Sequence, residues 1–322
     1  MTNTRGKKTT IPALKKRKGP GATSLSASTE ARHPLLRFSS GPEDDLFQLL
    51  LVRSLGVGHC IDWTTLEEVG LANEVRAFIT TAPWDWFFVI IEPTYSELTL
   101  EFCTTFHLQH VMNTHDEVGI ITFRLGGLVR HMSVPEFGAA LDIYTDEFIG
   151  ADNFLQLHRH IHYSPLCCWT NLTTSQIRYD ASHLKATSLS PTLRYIHVLL
   201  AHTLTGNRER TGVVSTTDTY CLWSMATGHI CDLAYFIALA FRHQTDRHRK
   251  GPIYLGPYVT RLARHFGLFN TPEMSSTLTL DKPEDITDDV PPLHEDLPPP
   301  PSQSHIPTAA TIDRYIRTTH SL

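Results

Sequence analysis

Residues 120–137 read IITFRLGGLVRHMSVPEF, and this stretch decides the local fold. Apolar and polar residues alternate up to Leu125, a pattern that is typical of a strand with one buried face. Gly126 and Gly127 then supply the positive φ angles that a tight two-residue turn requires, and a second apolar stretch returns after them. The sequence therefore predicts an antiparallel β-hairpin at this position.

The second strand of this hairpin leads into a helix. Ser133 and Glu136 have the spacing of a capping box, in which each side chain accepts a hydrogen bond from the backbone N–H group of the other residue. Pro135 falls near the first helical position, where a backbone N–H group has no partner inside the helix. We therefore predict a capped helix that carries Phe137 on its apolar face.

Similar cap and periodicity signals predict helices on both sides of the hairpin. They run over residues 43–52, 62–69, 71–80, 94–103, 193–204, 216–226, 230–244 and 259–266. The start at Thr94 rests on a second capping-box spacing, Thr94 with Glu97. The segment 230–244 is apolar nearly all round, which indicates a central buried helix. The predicted class is mostly α with a small antiparallel β element (α+β), as a single helical globular domain with disordered tails.

Composition limits the protein classes to which the chain can belong. Its 322 residues include 28 Lys and Arg against 33 Asp and Glu, and 41% are hydrophobic. This content is enough for a buried core and excludes a wholly disordered chain. The longest strongly apolar stretch, Ile230 to Phe241, is short and contains Asp232, so we expect no membrane span.

Charge divides the chain into three parts. Residues 1–41 hold nine cations against one acid, whereas residues 271–322 hold nine acids against three cations and are rich in proline. Such compositions bury too little apolar surface to fold, and the prolines favour extended geometry. We therefore predict a disordered basic tail over 1–41, a folded domain over 42–270 and a disordered acidic tail over 271–322.

A short cationic cluster lies in the basic tail. It consists of Lys15, Lys16, Arg17 and Lys18. Such a cluster suits the acidic pockets of a nuclear-import receptor and equally suits a phosphate backbone, while the alternative is a solvated tail without a partner. The predicted location is the nucleus.

A second cationic cluster lies inside the predicted domain. It consists of Arg242, Arg247, Arg249 and Lys250, with His243 and His248 interleaved and Arg261 and Arg264 on the next predicted helix. One interpretation is neutralisation of nucleic-acid phosphates. The other, which the sequence favours, is that cations at the C-terminus of a helix complement its dipole.

Metal, nucleotide and hydrolase signatures are weak or missing. His158, His160 and His162 alternate ahead of Cys167 and Cys168, but the cluster lacks the ligand spacing of a zinc finger. The sequence also has no phosphate-binding loop, no dinucleotide fingerprint and no nucleophile elbow. We therefore expect no metal site, no cofactor and no small-molecule substrate.

Six isolated acids keep one enzymatic alternative open. They are Asp62, Asp142, Asp146, Asp180, Asp218 and Asp232. If three of them converged, they would form the metal site of a transposase-like nuclease. We expect instead that these acids do not converge on one site.

Other residues are expected in the core. The cysteines at 60, 103, 221 and 231 should be reduced and buried. Trp84, Trp86, Phe87 and Phe88 should also be buried there.

The residues from Phe123 to Phe148 resemble the signature of the plant transposon protein domain family, which is related to the first open reading frame of Athila-type retrotransposons. Four further blocks are similar to other parts of that family, namely 55–63, 204–206, 222–229 and 256–267. The resemblance spans about residues 43–270. The hairpin with its capped helix is more distantly similar to the plant mobile domain.

The resemblance implies a plant protein derived from a transposable element, for which the family supplies no catalytic residues. We therefore expect a non-enzymatic, gag-like module that assembles with itself or contacts nucleic acid. Two alternatives remain open: a transposase-like, metal-dependent nuclease and a decayed element product without activity.

Overall fold

A computed structural model of the chain describes residues 33–56, 61–109, 119–151, 154, 157, 159–173, 184–206, 211–270 and 277–281. In these ranges the helices are α1 (Pro42–Leu51), α2 (Trp63–Glu68), α3 (Ala72–Ile79), α4 (Trp84–Phe87), α5 (Ser96–Thr105), α6 (Val134–Ala140), α7 (Asp146–Ile149), α8 (Pro165–Leu172), α9 (Pro191–Leu200), α10 (Thr216–Thr227), α11 (Leu233–Gln244) and α12 (Gly256–His265). The strands are β1 (Thr94–Tyr95), β2 (His107–Gln109), β3 (Ile120–Leu125), β4 (Leu128–Ser133) and β5 (Leu280–Asp281). The predicted α+β class is confirmed.

The predicted hairpin is confirmed. Strands β3 and β4 pair antiparallel with Leu125 opposite Leu128, and Gly126 and Gly127 have φ angles of 66° and 80°. Alternation along β3 buries one face of this strand, formed by Ile121, Phe123 and Leu125, and β3 packs on α5. Phe123 lies on that face, with its ring centroid 4.7 Å from the ring of Phe102.

The capped helix after the hairpin is also confirmed. The Oγ atom of Ser133 accepts a hydrogen bond from the backbone N–H of Glu136 at 3.3 Å, and the Glu136 carboxylate accepts one from the Ser133 N–H at 2.6 Å. These hydrogen bonds from Ser133 lower the pKa of the Glu136 carboxyl group. Helix α6 therefore begins where the sequence places it.

The sheet has a third strand that the sequence did not reveal. Strand β2 pairs with β3, so that the order of strands is β2-β3-β4. Only Leu108 of its three residues is buried. One buried residue gives no periodicity, which explains why pattern analysis missed this strand.

A buried carboxylate joins α5 to the hairpin turn. Glu101 of α5 is fully buried and accepts hydrogen bonds from the N–H groups of Gly126 at 2.7 Å and Gly127 at 2.8 Å. Nε of Arg124 donates to the same carboxylate at 2.9 Å. Burial raises the pKa of Glu101, although the two glycine N–H groups and Arg124 oppose this shift. The turn is thus fixed by a residue on another element.

The predicted start of α5 was wrong. Thr94 and Tyr95 form strand β1, which pairs with β5, and the helix begins at Ser96. The carboxylate of Glu97 does not bond to Thr94 but accepts hydrogen bonds from the backbone N–H and the Oγ1 of Thr279, at 2.8 Å and 2.7 Å. A distant segment therefore replaces the local capping box.

Helix α11 is the predicted central helix, and its burial is confirmed. It begins at Leu233, because the Asp232 carboxylate accepts a hydrogen bond from the N–H of Tyr235 at 3.1 Å. Near its other end, the ring of Phe241 lies 4.9 Å from that of Phe102 and 6.0 Å from that of Phe137. Helices α5, α6 and α11 thus share one core.

Glycines with positive φ angles end three helical segments. Gly206, Gly228 and Gly267 have φ angles of 64°, 67° and 67°. Helix α9 ends at Leu200 and continues as a π-helical turn, Ala201–Thr205, before Gly206. Helix α8, in a region where the sequence gave no clear pattern, was not predicted.

Residues beyond the predicted limits of the domain also contact the core. Leu35 is buried, and its carbonyl oxygen accepts a hydrogen bond from Arg124. At the other end, Leu278 packs against the same core. The domain limits at 42 and 270 and the disorder of the tails stay predictions. None of the described helices combines the length and the hydropathy that crossing a membrane requires.

Candidate nucleic-acid interface

The four predicted cations of the domain lie in one segment at the end of α11. We call residues 242–250 the cationic loop. Arg242 is in the last turn of α11, and Arg247, Arg249 and Lys250 follow the helix. Arg242, Arg247 and Lys250 are exposed, whereas Arg249 is partly buried. The other predicted cluster, Lys15 to Lys18, falls outside the described residues.

A buried amide fixes the beginning of the cationic loop. The Nε2 of Gln244 donates to the carbonyl oxygen of Leu204 at 3.2 Å, and its Oε1 accepts from the N–H of Tyr254 at 2.9 Å. Gly206 allows this approach, because a Cβ atom there would lie 2.8 Å from Cδ of Gln244. The end of α11 is therefore tied to both neighbouring segments.

Arg53 holds the loop from the other side. This residue follows α1, and its Nη1 donates to the carbonyl oxygen of Gln244 at 2.6 Å while its Nε donates to that of Gly251 at 2.7 Å. Burial lowers the pKa of Arg53, and the charge of Arg249 adds to this shift. An arginine side chain keeps its proton in proteins, so Arg53 adds a positive charge. Sequence analysis missed it because its partners are 191 and 198 residues away.

Internal contacts shape the middle of the loop. The Asp246 carboxylate accepts a hydrogen bond from the N–H of His248 at 2.8 Å, which closes a short turn. Arg249 contacts the ring of His243. Burial lowers the pKa of His243, with a further decrease from the charge of Arg249 and an opposing effect of Asp246. His243 therefore stays neutral at neutral pH and adds no charge.

The segment has a marked excess of positive charge. Arg53 and the four cations of the loop accompany one carboxylate, that of Asp246. The helix-dipole interpretation accounts for Arg242, which is in the last turn, and for Arg53, which binds the last carbonyl of α11. It does not account for Arg247 and Lys250, because the dipole effect falls off within the last turn.

Two cations that the sequence groups with this cluster are paired with acids. Arg264 pairs with Glu92 at 2.8 Å, and Arg261 pairs with Glu92 at 3.4 Å and with Asp142 at 3.1 Å. Their charges are thus compensated on α12. Sequence proximity suggested one patch, whereas the helix carries these side chains toward acids of earlier segments.

The chain was compared with models of known protein families, with curated proteins and with solved structures. A family model described as the ATHILA ORF-1 family matches residues 61–230, which is more than half of the chain. The chain belongs to this family. The match confirms the resemblance to the first open reading frame of Athila-type retrotransposons. No curated protein and no solved structure matches the chain.

The Athila ORF-1 match includes the hairpin, α6 and α10 but ends before the cationic loop. Membership of the family therefore says nothing about the loop. The acids that might form a nuclease site fall largely within the match, so their positions decide what this part of the chain could do.

Most of these acids have structural partners in the Athila ORF-1 region and just beyond it. Asp62 caps α2, Asp218 forms a capping box with Ser215 at the start of α10, and Asp232 caps α11. Asp142 pairs with Arg261, whereas Asp180 lies outside the described residues. Among the residues that the structure describes, no three His, Cys, Asp or Glu side chains are grouped in a way that could hold a metal ion.

His160 and His162, two of the three histidines examined as possible zinc ligands, take part in an aromatic cluster. The hydroxyl of Tyr220 lies 3.2 Å from Nδ1 of His162, and the ring of His162 lies 4.9 Å from that of His229. The ring of Tyr163 packs at a tilt against that of Trp223, with ring centroids 4.4 Å apart. His158 falls outside the described residues. These contacts account for the histidines as packing groups of the Athila ORF-1 region.

Three of the four cysteines expected in the core are buried and free. These are Cys103, Cys221 and Cys231, while Cys60 is outside the described ranges. Burial raises the pKa of Cys103 to about 12 and that of Cys231 to about 12. These thiols are therefore protonated at neutral pH and are poor nucleophiles. Of the aromatic group, Trp84 and Phe87 are buried as expected, but Trp86 is 47% exposed.

Proposed function

We propose that this retrotransposon-family chain is a non-enzymatic, gag-like protein that contacts nucleic acid through the cationic loop. The observation that supports the proposal is the excess of cations on a segment whose backbone Gln244 and Arg53 hold in place. Fixed cations neutralise phosphates with a smaller loss of side-chain and backbone freedom than cations on a loose chain. The proposed contact is with the phosphate backbone and is independent of base sequence.

The proposal is tested with the full chain and a fluorescent single-stranded RNA. Lys15 to Lys18 are first changed to alanine, so that the basic tail does not dominate binding. In this background the triple variant R242Q/R247Q/K250Q should bind more weakly at low salt. Three lost phosphate contacts should also reduce the slope of log K against log salt by about 2, at roughly 0.7 per contact.

A matched control removes the same number of charges elsewhere. Arg37, Arg76 and Lys185 are exposed and lie far from the cationic loop in sequence. The variant R37Q/R76Q/K185Q should keep most of the RNA affinity and of the salt slope. Equal losses in the two triple variants would mean that net charge alone drives binding, and the proposed interface would be rejected.

The nuclease alternative has its own test. Strand cutting by converging carboxylates requires a divalent metal ion. Incubation of the purified chain with labelled DNA and Mg²⁺ or Mn²⁺ should leave the DNA intact, with D218N and D232N as variants of two candidate ligands. Metal-dependent cutting that these variants abolish would replace the proposed function by the nuclease.

Nuclear import through Lys15 to Lys18 is proposed as well, on the density of positive charge in this tail. A fluorescent fusion of the whole chain should accumulate in the nucleus of plant cells and should lose this accumulation when the four residues are alanine. Unchanged accumulation would show that the cluster is not the signal. Detection of the endogenous protein in plant tissue would in turn exclude a decayed product.

Self-association is the remaining part of the proposal. One surface on which to test it is the exposed apolar segment in and after α4, where Trp86 is 47% exposed, Val89 58% and Ile91 61%. Exposed apolar residues close together are typical of protein contacts. The mass of the chain from light scattering should exceed that of a monomer and should fall for W86S/I91S. A monomeric wild-type chain would remove self-association from the proposal.

A further inference from the structure

Several cations of the cationic loop have no acidic partner among the residues that the structure describes. Among the described residues, Arg242, Arg247 and Lys250 form no ion pair. By contrast, Arg261 and Arg264 on the adjoining helix are paired with acids. A concentrated, uncompensated positive charge attracts a flexible polyanion at low ionic strength.

The chain itself contains a segment of the opposite charge. We call residues 284–296 the acidic segment. Its acids are Glu284, Asp285, Asp288, Asp289, Glu295 and Asp296, and no Lys or Arg lies among them. The acidic segment follows the last described residue, Asp281, by a few positions, so that its point of attachment to the folded part is known.

The last described residue, Asp281, is connected through β1 to the beginning of α12. Asp281 of β5 lies opposite Thr94 of β1. Thr94 is packed so closely on Gly256 that a Cβ atom on this glycine would lie 2.3 Å from Oγ1 of Thr94. Gly256 is the first residue of α12 and follows Lys250 of the cationic loop by only six positions. Two close contacts and six residues of chain therefore connect Asp281 to the end of the cationic loop.

The distance from Asp281 to Lys250 can be compared with the length of the extended chain after Asp281. Six residues span at most about 22 Å, so Lys250 lies within roughly 35 Å of Asp281 when two close contacts are added. Residue 296 is fifteen positions beyond Asp281, and fifteen residues in extended or polyproline geometry span about 46 to 50 Å. Glu295 and Asp296 therefore reach the loop without any movement of the folded part, whereas Asp288, seven positions beyond Asp281, reaches at most about 25 Å.

We propose that the acidic segment, residues 284–296, docks on the cationic loop of the same chain. Its carboxylates pair with Arg242, Arg247 and Lys250 and occupy the positions that phosphates of a nucleic acid would take. A tethered segment acts at an effective concentration in the millimolar range, so that weak ion pairs suffice for docking. The docking itself does not depend on the proposed function, but the competition with nucleic acid does.

Carbodiimide crosslinking of the full chain tests the docking. The reagent joins a carboxylate to a lysine amine in direct contact, and the described ranges contain two lysines, Lys185 and Lys250, both exposed. We expect crosslinks from the acidic segment to Lys250, at least fivefold above those to Lys185, at 50 mM salt and their loss at 500 mM salt. Lys282, which adjoins the segment, serves as the positive control for the chemistry.

Three outcomes of this experiment would overturn the proposal. The first is equal crosslinking to Lys185 and Lys250, which would indicate a segment without a preferred site. The second is crosslinking to Lys15, Lys16 or Lys18 in place of Lys250, which would assign the acidic segment to the basic tail. A lack of crosslinks to Lys250 while those to Lys282 form would overturn it equally.

RNA affinity separates the docking from the proposed function. The variant D288N/D289N/E295Q/D296N should bind single-stranded RNA about three- to tenfold more tightly than the wild-type chain at low salt, because a tethered competitor is removed. The control E43Q/D45N/E68Q/D146N removes four exposed acids of the folded part and should change affinity less than twofold. Selective crosslinks with unchanged affinity would support docking and reject the loop as the RNA site. Equal gains in both variants, without selective crosslinks, would reject docking.

Discussion

Two turns of the molecule are held by the same type of contact, but with opposite charge. They are the hairpin turn at Gly126 and Gly127 and the cationic loop at the end of α11. In each, a charged side chain from a distant element binds backbone groups of the turn: Glu101 binds two N–H groups, and Arg53 binds two carbonyl oxygens. The hairpin turn buries this charge and pairs it with Arg124. The cationic loop adds the charge to an exposed cluster.

The burial of the charge distinguishes the two regions. A buried and paired charge stabilises a turn, whereas exposed cations can bind an anion. A buried charge with all its hydrogen bonds made contributes to the uniqueness of the fold but has no group left for a partner. Exposed cations contribute little to stability and remain available for an anion. Substitutions should therefore affect stability strongly in the first region and binding in the second.

The largest loss of stability is expected for Glu101→Ala. The change leaves the N–H groups of Gly126 and Gly127 and the guanidinium of Arg124 without their buried acceptor. The free energy of unfolding should fall by about 3 to 5 kcal/mol, as for the loss of one partner of a buried ion pair. Urea denaturation measures it, and a loss below 1 kcal/mol would show that the carboxylate is not essential to the turn.

The pH dependence of stability sharpens the same point. Burial raises the pKa of Glu101 in the folded chain above its unfolded value, so the folded state binds the proton more tightly. The resulting contribution to stability is complete below the unfolded pKa and is lost as the pH rises through the folded pKa. Between pH 4 and 7, the stability of wild type relative to Glu101→Gln should therefore decrease with rising pH. A difference independent of pH would contradict this expectation.

A smaller loss is expected for Gly126→Ala. This residue has a φ of 66°, and a Cβ atom would lie 2.7 Å from Cδ2 of Leu268. The left-handed backbone and the displacement of Leu268 should together cost about 2 kcal/mol of unfolding free energy. Gly212→Ala is the matched control, because no atom lies within 4 Å of a Cβ there. Thermal unfolding that ranks the two variants equally would be inconsistent with a strained turn.

The smallest loss is expected in the cationic loop. Arg53→Met removes the two hydrogen bonds to carbonyl oxygens and should lower the unfolding free energy by about 1 kcal/mol. Hydrogen exchange at residues 245–251 should accelerate at the same time. Arg247→Met, which changes an exposed cation of the same loop, should stay within about 0.5 kcal/mol of wild type. If both variants were equally destabilised, Arg53 would have no special role in holding the loop.

Sequence reasoning succeeded where the deciding contacts are local. The hairpin, the capping box at Ser133 and the glycine ends of helices follow from residues within a few positions of each other. It failed at Thr94, because its strand partner and the partner of Glu97 lie near residue 280. It did not reveal the contacts of Arg53 with the cationic loop, nor the ion pairs of Arg261 and Arg264, because no local pattern reports contacts made across the fold.

The amide of Gln244 has a consequence for how the molecule opens. It connects the carbonyl of Leu204, the N–H of Tyr254 and the last turn of α11. Local opening of the end of α11 therefore also releases the segment after α9 and the one before α12, and the three should open together as one cooperative unit. Hydrogen exchange at the N–H of Tyr254 would report this opening. A side chain at position 206 would push the Gln244 amide away and keep these three segments partly open.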